Sequence, residues 1–228
     1  MIILLRGHIR KSFENLGLYR LIQELNKLNP LTIYIHTWNK YANSLSWRNV
    51  TEDNNLVTED IIYEYFADLK HLIKKVIIED DQDISLTGKV EGNVGKSRMP
   101  LKGWKNYWYG QAMAMNAIIK EVDPYQPILN TRFDVLSNSV PISIENITSF
   151  IRINLYKKFY RNIFLKPVVG IDNVMLGTAE TMYKLIHTFH LYLDEIILKE
   201  TFFVHHEQLV SIMNHRLFKN NIKTIRFN

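Results

Sequence analysis

Two short apolar runs, MIILLR at 1–6 and LTIYIHTW at 31–38, enclose a segment in which Leu16, Leu18, Leu21, Ile22, Leu25 and Leu28 recur at helical spacing until Asn29-Pro30 stops them. Apolar side chains three or four residues apart line one face of a helix, whereas short continuous runs rich in β-branched types suit buried strands. Strand, helix and strand within 38 residues have the size of a crossover unit, which joins parallel strands. Such an alternating order predicts an α/β sandwich.

The remaining chain continues the pattern. Residues 39–57 are polar and Asn-rich and read as a surface loop; Thr58 is placed to cap a helix reaching Leu72, and KVIIE at 75–79 reads as a third strand. Asp80 to Gly103 has little periodicity and reads as a mobile flap or functional loop. Helical spacing returns from Trp104 to Val122, and PILNTRFDVL at 127–136 reads as a strand ending in a polar elbow. Further strands are expected near 149–155 and 167–171, a helix capped by Thr178 running to about Leu193, a short helix near 206–218, and a final strand in IKTIRF.

Of the 228 residues 46% are apolar and 22% charged, as expected of a globular chain forming one large domain. No apolar run approaches the roughly 18–20 residues a bilayer-spanning helix needs, so neither a secretory signal nor a membrane anchor is expected. With no cysteine, disulfides, thiolate metal sites and cysteine nucleophiles are excluded, and any metal must be held by carboxylate, imidazole, amide or water. The 28 basic and 23 acidic residues give a formal charge of +5, which suits an anionic partner.

In open α/β sheets ligands collect at the carboxyl ends of the strands. Gly7, His8 and Arg10 follow the first strand, His36, Thr37 and Trp38 end the second, Glu79, Asp80 and Asp81 end the third, and Thr131, Arg132 and Asp134 end the fourth. All four ends are expected to converge on one crevice. Gly7 would let backbone approach a phosphate, with Arg10 supplying a guanidinium contact; the plainer reading is a turn glycine beside a solvated arginine. Asp134, just past a buried run, is placed to reach a cation that bridges two phosphates. Asp172 sits in a turn where a carboxylate serves either as general base or as helix cap. His205-His206-Glu207 lacks the HExxH spacing of zinc hydrolases. Trp38, Trp47, Trp104, Trp108, Tyr107 and Tyr109 are candidates for stacking on sugar or base rings, or for the core.

In order, LLRGHIRKSF at 4–13, IYIHTW at 33–38, WKNYWYGQAMAMNAI at 104–118, TRFD at 131–134, GIDNVMLGTAETM at 170–182 and HHEQL at 205–209 resemble GT-A type glycosyltransferases of bacteria and large viruses, the group found with lipopolysaccharide and capsule synthesis. The resemblance implies a Rossmann-like GT-A sandwich with a mostly parallel central sheet flanked by helices. Residues 1–134 would form its nucleotide-sugar-binding part and 135–228 its acceptor-side part. It implies Mn²⁺ or Mg²⁺ on the donor diphosphate, with Asp134 as the last acid of the DxD motif, Arg132 in place of the first, and His205 or His206 approaching from the C-terminal side. Gly7, His8, Arg10, Thr37, Trp38, Gln111 and Arg132 would bind the donor nucleotide. In catalysis, Arg132 would help stabilise the leaving diphosphate and Asp172 would be the acceptor-side base. The implied partners are a nucleotide-sugar donor and a glycan or glycolipid acceptor, with room for a partner transferase or peripheral membrane attachment, at a cytoplasmic location or the cytoplasmic face of a membrane. A nucleotidyl- or phosphotransferase would use the same crevice. A nucleic-acid-binding module is the non-enzymatic rival, but the basic residues are scattered and no recognised motif appears, so no nucleic acid is expected.

Overall fold

The computed structural model describes residues 1–46, 50–139, 141–157, 160–165, 171–200 and 205–219. Its elements are β1 (Ile2–Arg6), α1 (Gly17–Leu28), β2 (Thr32–Trp38), β3 (Lys40–Ala42), β4 (Asp53–Leu56), α2 (Glu59–Phe66), β5 (Ile73–Glu79), α3 (Leu101–Ile118), β6 (Pro127–Arg132), α4 (Ile144–Asn154), β7 (Ile163–Phe164), β8 (Val174–Thr178), α5 (Ala179–Lys199) and α6 (His206–Phe218). The architecture is α/β. A six-stranded sheet runs in the order β5-β2-β1-β6-β8-β7, with β5, β2, β1 and β6 parallel and β8 and β7 antiparallel to their neighbours.

Side chains alternate across a strand, and here both faces are apolar. Ile2 and Leu4 of β1 join Ile128 of β6 and Met175 of β8 in a core under α3, α5 and α6, while Ile3 and Leu5 join Leu129 and Leu176 in a second core under α1, α2 and α4. The continuous run of β1 is thus a strand covered by helices on both sides. Within α1, Leu18, Leu21, Ile22 and Leu25 are the buried stripe. Asn29, preceding Pro30, turns extended (φ −160°, ψ 130°) and ends it. No helix among the described residues is long and apolar enough to cross a membrane.

Several local expectations are corrected. The 39–57 stretch contains a two-stranded antiparallel pair, β3 with β4. The strand expected at 149–155 is the end of α4: the Ser143 hydroxyl accepts from Asn146 N–H, and Ile147 and Ile151, four apart, point inward. Of the strand expected at 167–171, residues 166–170 lie outside the described residues and Ile171 is in a turn; IKTIRF also lies outside them. Helix α2 stops at Phe66, where Ala67 adopts φ 47°, and a 3₁₀ turn continues to Leu72. The third helix spans 101–118 instead of 104–122, and α5 runs to Lys199, beyond Leu193. Thr58 and Thr178 cap their helices as expected, although the reciprocal partner of Thr178 is Thr181.

The segment preceding α3 is pinned. Lys105 Nζ donates to the Thr87 carbonyl at 2.5 Å and to Asp194 at 2.8 Å, and the Lys89 N–H donates to the same carboxylate at 3.1 Å.

Candidate functional site

The register of the parallel strands assembles a polar row from otherwise apolar elements. Arg6 stands level with His36 of β2 on one side and Arg132 of β6 on the other. It shares the face of Ile2 and Leu4, directed at α3, and is 2% exposed. Its guanidinium lies 4.4 Å from the Tyr107 ring centroid, donates from Nε to Asn130 Oδ1 at 2.7 Å, and donates from Nη2 to the Asp172 carbonyl. Asn130 is held in turn by Gln111 Oε1 at 2.7 Å, and the Tyr107 hydroxyl donates to the Asp172 carbonyl at 3.2 Å. A buried cation costs less when it is hydrogen-bonded and stacked on an aromatic face. Burial still lowers the Arg6 pKa and raises that of Tyr107.

Beyond β1 the chain turns sharply. Gly7 has φ 89°, a conformation open to glycine, and a β-carbon there would meet nothing within 4 Å, because the space beside it is cleft. Arg10 adopts φ 53°, rare for a side chain of its size, with its N–H bonded to the Tyr41 carbonyl at 2.8 Å. That turn brings Arg10 Nη1 to Asp134 Oδ2 at 2.7 Å, while Arg132 grips the same carboxylate with two bonds, Nε to Oδ1 at 2.6 Å and Nη2 to Oδ2 at 2.8 Å. Burial alone would raise the pKa of Asp134, but the two guanidiniums outweigh it and hold the carboxyl well below the usual range. Asp134 reciprocally lifts Arg132 above its ordinary value against the pull of burial.

These groups line a cavity of about 90 Å³. Trp38 closes it from β2, Asn43, Leu45 and Ser46 from the stretch after β3, and Met99, Trp104, Asn106 and Tyr107 from α3 and its approach; His206 and Glu207 enter from the start of α6. Three lining residues carry buried polar atoms without a described partner: His8 Nε2, Trp104 Nε1, and both amide atoms of Asn106. Such atoms are costly when left unmet. Burial, reinforced by Arg10, lowers the His8 pKa to about 3, so its imidazole is neutral at ordinary pH. Asp172 precedes β8, which runs antiparallel to β6, so it reaches the same sheet edge; its carboxylate receives no hydrogen bond from a described residue.

No family model, curated protein or solved structure matches this chain. The site therefore stands on its own geometry.

Of the residues singled out from sequence, Gly7, His8, Arg10, Trp38, Arg132, Asp134, Asp172 and His206 line this cavity. Three do not. Thr37 is fully buried on the face of Ile33 and Ile35, Gln111 is buried behind Arg6 bracing Asn130 and the Tyr107 carbonyl, and His205 stands before the first turn of α6. The end of β5 does not join the crevice either: Glu79 is taken up by His36 and Tyr109, and Asp81 by Asn43 and Lys40. Trp108 stacks on Phe189 in the core at 4.2 Å, and Trp47 lies outside the described residues. Glu207, read from sequence beside His205 and His206, lines the cavity too. Arg6 and Asn106 were not singled out; for Arg6 the available signal was an arginine closing a strand whose every other side chain is apolar.

As for a divalent cation, Asp134 accepts three guanidinium N–H bonds of 2.6–2.8 Å, one at Oδ1 and two at Oδ2, so a cation there would have one lone pair to use and two positive groups beside it. His206 sets its ring edge against Trp104, centroids 4.7 Å apart. Among the described residues no group of three or more His, Asp or Glu is arranged to hold a metal ion. These side chains, as arranged, do not fit a resident cation.

Proposed function

We propose that the chain is a GT-A type glycosyltransferase that moves a sugar from a nucleotide-sugar donor to a hydroxyl of a glycan or glycolipid, in surface polysaccharide synthesis. One observation carries the reading: the guanidiniums of Arg6, Arg10 and Arg132 and the carboxylate of Asp172 meet in a single cleft at the carboxyl ends of β1 and β6. The order of the sequence motifs supports the donor and acceptor classes.

In this mechanism the guanidiniums bind the donor diphosphate, and the Trp38 and Trp104 rings and the Asn106 amide offer surfaces for sugar or base. The bond from the sugar carbon to the phosphate oxygen breaks as one to the acceptor oxygen forms. The acceptor proton passes to the Asp172 carboxylate, and the departing nucleoside diphosphate is stabilised by the arginines. A single displacement of this kind inverts the sugar centre. The cavity of about 90 Å³ is smaller than the roughly 300 Å³ of ordinary ligand pockets, so donor binding requires part of its wall to move.

The test is a thermal-shift panel of UDP, GDP, CMP and dTDP sugars, each with Mn²⁺ or with EDTA, followed by product analysis for any donor that stabilises the fold. A selective shift with release of nucleoside diphosphate is expected. Release of pyrophosphate would replace the reading with nucleotidyl transfer, and a flat panel would remove it.

A further inference from the structure

We infer that this cleft neutralises a diphosphate with arginine and not with a divalent cation: Arg6, Arg10 and Arg132 form the anion site, and Asp134 is the positioning residue that holds two of them. The inference deepens the donor reading above and rests on it.

The geometry at Asp134 carries the argument. Of the about four lone-pair positions of a carboxylate, three accept guanidinium N–H bonds, one on Oδ1 from Arg132 and two on Oδ2 from Arg132 and Arg10, so a cation would find a single position on Oδ1. A dication at that carboxylate would also stand against two guanidiniums within hydrogen-bond distance of the same atoms, and that repulsion would be strong in a water-poor cleft. Arginine is suited to the alternative. A guanidinium carries five N–H donors in a planar fork that matches phosphate oxygens. Arg132 spends Nε and Nη2 on Asp134, and its Nη1 has no described partner; Arg6 likewise keeps Nη1 beyond its bonds to Asn130 and Asp172.

A second observation points to a ligand in the same space. His8 Nε2, Trp104 Nε1 and the Asn106 amide are buried without described partners, and the Trp104 and Asn106 side chains belong to residues only 1% and 4% exposed. A neutral imidazole and an indole N–H are donors that a phosphate or sugar oxygen would satisfy. The carboxylates of Asp172 and Glu207 line the cleft too. They account for its selectivity in this scheme: an anion bound there must engage the arginines on the side away from them.

The experiment titrates the full chain calorimetrically with inorganic pyrophosphate and with the four nucleoside diphosphates, each in EDTA and in Mn²⁺. Pyrophosphate is expected to bind in EDTA, and Arg132→Gln and Arg10→Gln are each expected to weaken it about tenfold or more, the worth of one charge-assisted hydrogen bond. Asp134→Asn separates the two roles. If Asp134 positions arginines, the variant releases them and binds pyrophosphate more weakly by the same factor in EDTA as in Mn²⁺; a metal ligand would show metal-dependent binding that this variant loses. Should Asp134→Asn fail to fold by its melting curve, the wild-type comparison of EDTA with Mn²⁺ decides alone. Binding of pyrophosphate or nucleotide only with Mn²⁺ overturns the inference and leaves the donor reading standing. Pyrophosphate binding in EDTA with no nucleotide bound under either condition leaves the arginine site and removes the donor reading. No binding of pyrophosphate in either condition overturns the arginine site.

Discussion

Two clusters of polar side chains occupy the same edge of the sheet and behave differently. Beyond β2 and β5, His36 pairs with Glu79 at 2.9 Å, Tyr109 donates to the other Glu79 oxygen at 2.9 Å, Asn39 donates to Asp80 at 2.7 Å, and Asn43 and Lys40 take up Asp81. Every carboxylate there is met by a neighbour, so the cluster is closed on itself. Beyond β1 and β6 the polar residues are buried too, but among the described residues the Asp172 carboxylate has no hydrogen-bond donor and polar atoms of His8, Trp104 and Asn106 have no partner. Burial of polar groups is costly at both places; the first recovers the cost at its carboxylates, while Asn39 Oδ1 and Thr37 Oγ1 beside them stay without a described partner. The edge that leaves its groups unmet is where a ligand has something to supply. Acidic residues alone would not have told the two apart, since each has three carboxylates: Glu79, Asp80 and Asp81 in the first, Asp134, Asp172 and Glu207 in the second.

The sharpest way to break this comparison is to remove the unmet carboxylate. Asp172→Asn preserves shape and is expected to lower the rate of nucleoside diphosphate release by roughly 10²–10⁴-fold, the contribution of a positioned general base. Donor-induced thermal shifts should stay the same. Full turnover in the variant would take Asp172 out of the chemistry. Next in size is Arg6→Met, which fills similar space but deprives Asn130 Oδ1 and the Asp172 carbonyl of their buried donor. A stability loss of about 3 kcal/mol is expected in urea titration. A loss below about 0.5 kcal/mol would mean that water replaces the guanidinium, and that the site is wetter than a buried row of side chains.

The fold was more legible than the site because its signals are local. The runs at 1–6 and 31–38 and the stripe between them lie within one crossover unit, and their periodicity is set by burial on both faces of a parallel sheet. The misreading at 149–155 shows where local signals conflict. Ile144, Ile147, Ile151 and Ile153 are β-branched and suggest a strand, but the Ser143 cap and the inward spacing of 147 and 151 prevail once a core face is available. The VMLGT strand β8 escaped notice because its role is to pair antiparallel beside β6, a placement no local pattern announces. Arg6 illustrates the harder case. Its partners Tyr107, Asn130 and Asp172 lie more than a hundred residues away in sequence, so its position at the end of an apolar run carries no sign of a cation–π stack. Arg10, Arg132, Asp134 and Asp172 were found because each follows or precedes a strand, and the strand-end rule is itself a statement about topology.

A smaller effect tests how dry the open cluster is. The His8 imidazole is held to a pKa of about 3 by burial and then by Arg10, against about 6.5 in an unfolded chain. Between those values the unfolded state binds a proton that the native state refuses, so stability falls as pH drops below about 6.5. His8→Gln should abolish this part of the acid sensitivity, leaving the variant less destabilised than wild type by roughly 2 kcal/mol on going from pH 7 to pH 5. Identical slopes for the two proteins would mean that the imidazole is solvated, and the contrast between the clusters would lose one of its unmet groups.

The smallest expected effect lies in the closed cluster and has the opposite sign with pH. The hydrogen bond from His36, followed by that from Tyr109, lowers the Glu79 pKa despite partial burial. A carboxylate with a lowered native pKa adds stability that is present above its unfolded value near 4.5 and is lost as pH falls through the native one. The Glu79 side chain is 28% exposed, so solvent screening keeps Glu79→Gln to less than about 1 kcal/mol at pH 7, and the difference from wild type should shrink as pH falls below the unfolded value and through the lowered native one. A difference that does not shrink as pH falls would assign the effect to packing against Tyr109 instead of to charge. Pyrophosphate affinity is the decisive second readout. If the clusters are separate, Glu79→Gln leaves it unchanged, whereas a tenfold loss would show that His36, level with Arg6 in the strand register, transmits the state of the closed cluster to the arginines, and the two would have to be treated as one site.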